Sequence, residues 1–126
     1  MNPKQFLTIG GWVLLLVAIL GAIGILGPTA DKSIFGDAWV FTAGENWAHF
    51  ILGVVALLAA MTLGAESQKM LVGLVGLIAL VVGVWGFFLG SDTPNFYGAN
   101  LENPLDNILH LAIAVWAYMS MKDAKA

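Results

Sequence analysis

The sequence contains no cysteine and no arginine, and only 10% of its 126 residues are charged. The lack of cysteine excludes disulfides, covalent c-type haem attachment, thiolate metal sites and thiol nucleophiles. The lack of arginine removes the bidentate clamp for phosphate. Five lysines and a net charge of −3 leave no footprint for nucleic acid. Soluble domains carry roughly 25% charged residues, so this chain has too few to dress a water-facing surface. What it has instead is apolar sequence, 60% of the total, in long blocks. Runs of 18 or more apolar residues read as membrane spans, because about 20 helical residues cross the hydrocarbon core.

Four such blocks are present, and they predict an all-α integral membrane four-helix bundle in one domain, 1–126. Span one runs from about Phe6 to Gly27 and stops at Pro28. Span two covers about Thr42 to Gly64, span three about Met70 to Gly90, and span four about Pro104 to Met121. In lipid only helices and closed barrels satisfy their backbone groups, and these lengths are helical. The first block is too long for a signal-peptide core and has no small-x-small cleavage site, so it reads as a retained span.

Lysine placement predicts the orientation. Lys4, Lys69, Lys122 and Lys125 lie at the N-terminus, the second loop and the C-terminus, while Lys32 is alone in the other two loops. The positive-inside rule then puts both termini in the cytoplasm. The outer loops are acidic, with Asp31, Asp37, Glu45, Asp92, Glu102 and Asp106. Trp39, Trp47, Phe96 and Tyr97 fall where aromatic rings favour the interface. Ala65 to Lys69 reads as a tight inner hairpin. Phe35, Trp39, Val40 and Phe41 suggest that the first outer loop packs on the membrane or on the helix ends.

The second half repeats the first. Gly11, Gly21 and Gly24 align with Gly73, Gly83 and Gly86 at one offset, as Phe35-Gly36 does with Tyr97-Gly98. After a one-residue deletion, Thr42, Glu45, Asn46 and His49 align with Asn103, Asp106, Asn107 and His110. Two-helix units (about 6–64 and 70–121) repeated in this way form a parallel repeat about an axis along the membrane normal. Thr42-x-x-Glu45 and Asn103-x-x-Asp106 both read as capping boxes at outer helix ends, with Pro104 at a first helical position. Small residues at four-residue spacing, Ala56, Ala60 and Gly64 or Gly86 and Gly90, mark close helix packing.

The constellation with chemical potential is Asn46-x-x-His49 and Asn107-x-x-His110. A spacing of three puts each Asn and His on one helix face, with each His about 10 Å below its cap at 1.5 Å per residue. Polar groups at that depth face the bundle interior. They can hydrogen-bond across the pseudo-twofold as interhelical glue. Alternatively, His49 and His110 ligate a haem, a pigment or a transition metal, with Asn46 and Asn107 orienting the rings and Glu45 and Asp106 completing a metal shell. Roles in pH sensing or partner contact also fit imidazole.

Other classes lack their residues. A transport path needs polar groups throughout, yet the inner halves of the spans carry almost none, and no proline breaks a span midway. No Ser, Cys or Lys stands at helical spacing from either His, so the sequence predicts no enzyme. The leading expectation is a structural or accessory membrane subunit that packs on itself as a homo-oligomer or on a larger complex in the lipid bilayer. The alternative is a cofactor-binding membrane protein.

The segment Asn103-Pro104-Leu105-Asp106-Asn107-Ile108-Leu109-His110-Leu111, and Asn46-Trp47-Ala48-His49 followed by Gly53, resemble the Asn-x-x-His signature of a family of small bacterial four-span proteins of unknown function. Ala114 stands where span two has Gly53, so the glycine itself is not kept in both copies and close helix contact at this turn is not required of both. The resemblance implies a prokaryotic plasma (inner) membrane and no particular activity.

Overall fold

The computed structural model describes residues 2–27, 30–36, 39–89 and 105–122. It is helical, with α1 Pro3–Ala22, α2 Ala43–Thr62, α3 Ala65–Leu89 and α4 Leu105–Lys122, plus one 3-10 turn at Ala30–Lys32. The only β feature among the described residues is an isolated bridge between Leu26 and Ser33.

Local chemistry sets each helix end. Asn2 starts α1 with a capping box: Gln5 N–H donates to Asn2 Oδ1 at 2.8 Å, and Asn2 N–H donates to Gln5 Oε1 at 3.0 Å. Pro3 follows at the first helical position. At the other end α1 stops at Ala22, short of the expected Gly27. The reason is Gly24, whose φ of +88° turns the chain left-handed. Ile25 N–H reaches Leu20 O at 3.0 Å and Gly24 N–H reaches Gly21 O at 3.3 Å, the paired bonds of a Schellman cap. Gly86, in contrast, lies inside α3. The alignment of Gly24 with Gly86 therefore does not join equivalent places.

After this cap the connection between α1 and α2 folds on itself and on the helix ends. Phe41 N–H donates to Leu26 O at 2.7 Å and Ile34 N–H to Ile25 O at 2.9 Å. Ser33 Oγ donates to Trp39 O at 2.6 Å, and the Phe35 and Trp39 rings meet edge to face at 5.5 Å. Thr42 then caps α2 as expected. Glu45 N–H donates to Thr42 Oγ1, and Glu45 Oε1 accepts from the Thr42 N–H at 3.2 Å. Its counterpart Asn103, with Pro104 and the second outer loop, lies outside the described residues, as do Pro28, Asp37 and Lys125.

The connection between α2 and α3 is tighter than expected. α2 ends at Thr62 and α3 begins at Ala65, so Ala65 to Lys69 is the first turn of α3 and only Leu63 and Gly64 link the helices. Good helix formers in 65–69 extend the helix into what polarity alone marks as loop. Gln68 secures the turn: its Nε2 donates to the carbonyls of Ala60 at 3.1 Å and Ala59 at 3.4 Å, reaching the end of α2, where the Ala59 carbonyl also accepts from the Leu63 N–H.

Sequential helices pack as antiparallel hairpins, α1 with α2 and α3 with α4. Gly11 lies against Leu57 and the Gly53 carbonyl, and Gly76 lies against Ala117; small residues let these backbones approach. A shared core joins the hairpins in the half near the Leu63–Gly64 turn. It comprises Phe6 and Leu7 of α1, Ala59 and Ala60 of α2, Val72 of α3 and Ala117 of α4. There the Phe6 and Trp116 rings sit 4.4 Å apart. α1 carries most of the contact with the second hairpin.

The outward face is apolar, including Trp12, Leu16, Met61 and Phe88. Three helices, Pro3–Ala22, Ala43–Thr62 and the span Ala65–Phe88, are long and apolar enough to cross a membrane. α4 does not meet that measure. It has 18 residues, and Asp106, Asn107, His110, Ser120 and Lys122 all fall within them. Lys4, Lys69 and Lys122 mark one end of the antiparallel bundle and Glu45 and Asp106 the other.

Candidate functional site

The N-terminal ends of α2 and α4 carry the polar residues singled out from sequence. Glu45 lies in the first turn of α2 and Asp106 in the first turn of α4. Both are buried, at 4% and 2% exposure. Each carboxylate complements the positive end of its own helix. The two repel one another across the bundle, and His49 feels the fields of both Asp106 and His110. The structure thus brings Glu45, His49, Asp106 and His110 into one electrostatic neighbourhood drawn from both hairpins. They do not form a compact metal shell: no group of three or more His, Asp or Glu side chains is placed to hold a metal ion among the described residues.

Each Asn sits in a notch made by a glycine on the partner helix of its hairpin. A Cβ on Gly21 would collide with Asn46 Oδ1 and lie 2.6 Å from its Cγ. A Cβ on Gly86 would collide with Asn107 Oδ1 and lie 2.5 Å from its Cγ. The sequence shows both glycines but not this role. It becomes visible only once the hairpins are known to be antiparallel, because Gly21 then stands level with Asn46.

The expected hydrogen bonds across the pseudo-twofold are not made among the described residues. Asn107 is 1% exposed, and neither its Oδ1 nor its Nδ2 has a hydrogen-bond partner there. Asn46 Oδ1 and His49 Nδ1 are likewise buried without partners among these residues. No direct Asn–His hydrogen bond is thus made between α2 and α4 among these residues, and each unsatisfied buried group costs about 1–3 kcal/mol.

The two histidines differ. His110 Nδ1 lies 2.6 Å from the Asp106 carbonyl oxygen. The Nδ1 of His49 has no such bond among the described residues; its ring packs edge to face against Phe41 at 5.3 Å, under the folded outer loop. Phe41 is legible in the sequence as a loop aromatic, but not as a neighbour of the His.

No protein-family model matches the chain, and no curated protein and no solved structure is significantly similar to it, so the Asn-x-x-His resemblance rests on its motif alone.

Proposed function

We propose that this chain is a four-span protein of a prokaryotic plasma membrane, with cytoplasmic termini, that binds a ligand at the outer end of its bundle through Asn46, His49, Asn107 and His110. The observation that carries the reading is the buried Asn107 amide, with neither polar atom satisfied among the described residues. In a folded protein such a group calls for a partner or a function. A residue retained for ligand binding costs stability rather than adding it.

Two further features support the architecture. Gly21 and Gly86 are 65 positions apart, and the Asn residues they face, 46 and 107, are 61 apart. The same glycine–asparagine notch at the same end of each hairpin supports a parallel duplication, with the interval from glycine to asparagine four residues shorter in the second copy. Lys4, Lys69 and Lys122 at the opposite end support cytoplasmic placement of that end. α4, the most polar helix, then crosses the bilayer with its polar residues turned inward.

The accessory-subunit reading keeps one specific support. α2 packs on α1 but hardly on the second hairpin, leaving Trp47, Ile51, Val55 and Leu58 exposed along it. Lipid or a larger complex covers such a face equally well. The two readings are compatible.

Chemical unfolding in detergent tests the ligand reading against glue. The variants Asn46→Ala and Asn107→Ala should keep wild-type stability within about 1 kcal/mol, because Asn107 gives up no hydrogen bond to the described residues. A loss of about 3 kcal/mol or more in either variant would show that the asparagines hold the bundle together, and the ligand reading would fall.

A further inference from the structure

We propose that the turn Ser33–Gly36, in the connection between α1 and α2, is a bilayer-inserting tip whose Ile34 and Phe35 side chains enter the interfacial layer of the membrane. The inference needs only that the helices cross a bilayer, and it is independent of the ligand reading.

The turn is tightly built. Gly36 N–H donates to Ser33 O at 3.0 Å, which closes a four-residue turn with Ile34 and Phe35 at its two central positions. Gly36 ends it with a φ of +59°, in the left-handed region that glycine favours. The base of the turn is braced on the protein. Ser33 is buried; its Oγ accepts from the Phe35 N–H at 3.2 Å and donates to Trp39 O at 2.6 Å. Ser33 also bridges to Leu26, and Ile34 N–H donates to Ile25 O at 2.9 Å. The backbone is thus pinned just beyond the end of α1, and the two central side chains are held out from it.

Those side chains are the wrong chemistry for a turn in water. Turn centres favour Gly, Pro, Asn, Asp and Ser. Here Ile34 is 69% exposed and Phe35 49%. The same connection buries Leu26 and Phe41, so exposure is confined to the tip and is not general to the segment. Two adjacent large apolar residues on a braced turn mark a surface that something covers.

Continuity with the spans identifies lipid as the cover. Leu16 and Ile19 are exposed on one face of α1, and Ile23 at its cap continues that face. Two residues on is Ile25, whose carbonyl holds the tip. At the other end of the connection, α2 begins with Trp47, Phe50 and Ile51 exposed. Both neighbours of the tip are therefore apolar faces that lie in lipid when the helices span. The tip sits at the end of those spans, where aromatic rings favour the interface. Lys32, exposed directly before it, can rest its stem on apolar surface and reach lipid phosphate. An apolar pair beside an exposed lysine suits a membrane surface better than the centre of a protein interface, where lysine is depleted.

The chain has no cysteine, so single labels test this in the full-length protein. Phe35→Cys and Ile34→Cys, each carrying an NBD fluorophore, are placed in nanodiscs of phosphatidylcholine and phosphatidylglycerol. Glu66→Cys, exposed in the first turn of α3, serves as the water-facing reference. Nitroxide lipids labelled near the top or near the end of the acyl chain quench from within the bilayer, and iodide quenches from water. Both tip labels should emit to the blue of the Glu66 label, be quenched most by the shallow nitroxide and resist iodide. Ile34→Cys leaves the contact between Phe35 and Trp39 in place, and circular dichroism shows whether each variant has folded. Iodide quenching as strong as at Glu66 would overturn the proposal by placing the tip in water. Resistance to iodide and to both nitroxides would overturn it in favour of a protein cover, such as a second copy of the chain. Strongest quenching by the deep nitroxide would overturn the interfacial placement.

Discussion

Replacing Gly86 by Ala is the sharpest perturbation of the outer site. The added Cβ would fall on Asn107 Oδ1 and 2.5 Å from Cγ, well inside van der Waals contact. Asn107 is almost wholly enclosed, so α3 and α4 must separate or Asn107 must leave its rotamer. Overpacking of this kind costs about 1–3 kcal/mol. The clash is with one side chain, so shortening that side chain should relieve it. Asn107→Ala alone sacrifices no hydrogen bond to the described residues and should be nearly neutral. The double variant Gly86→Ala/Asn107→Ala should then recover most of the loss, giving a coupling energy of about 1–2 kcal/mol in a double-mutant cycle. Tryptophan fluorescence during denaturant titration in detergent reads all four states, with Trp85 next to the substitution. Additive effects within about 0.5 kcal/mol, or a neutral Gly86→Ala, would refute the notch.

Single contacts and the lysine pattern carry three other expectations. Gly24→Ala should destabilise by about 1–2 kcal/mol, since φ is +88° there and L-residues lose that much in the left-handed region; an unchanged unfolding midpoint would show that the cap is dispensable. Phe6→Ala removes a core ring 4.4 Å from Trp116 and should cost about 3–5 kcal/mol, measured by the same unfolding assay; a loss below about 1 kcal/mol would mean that the hairpins are joined elsewhere. The chain has no native cysteine, so Lys32→Cys and Lys69→Cys can be probed cleanly with a membrane-impermeant maleimide in intact cells. The Lys32→Cys variant should label and the Lys69→Cys variant should not; the reverse pattern would invert the topology.

The apolar blocks, the Thr42 cap and the placement of the Asn and His residues are legible in the sequence because each depends on local composition or short spacing. Helix ends are less legible. Pro28 looks like the stop of α1, yet Gly24 ends the helix first through a left-handed turn that sequence does not reveal. At the inner turn, Gln68 looks like a loop residue but is buried and bonded to the end of α2. Aligning the halves on Gly24 and Gly86 pairs the wrong glycines, because glycines recur about every turn and several offsets match them. Contacts distinguish the glycine that clears space for an Asn from the one that caps a helix. The histidines look equivalent in sequence for a similar reason. Their spacing is the same, and only the bond from His110 to the Asp106 carbonyl separates them. Hydrogen-bonded partners for buried polar groups are the expectation from general chemistry, and its failure at Asn107 is the feature that sequence could not supply.

The central claim, that the outer end of this bundle holds a ligand, is tested most directly by a visible absorption spectrum with elemental analysis on the protein purified in mild detergent from its native host. The account predicts a visible absorption band or near-stoichiometric metal, lost in the His49→Ala/His110→Ala double variant. A colourless, metal-free preparation from the native membrane would contradict it and return the polar residues to a structural role.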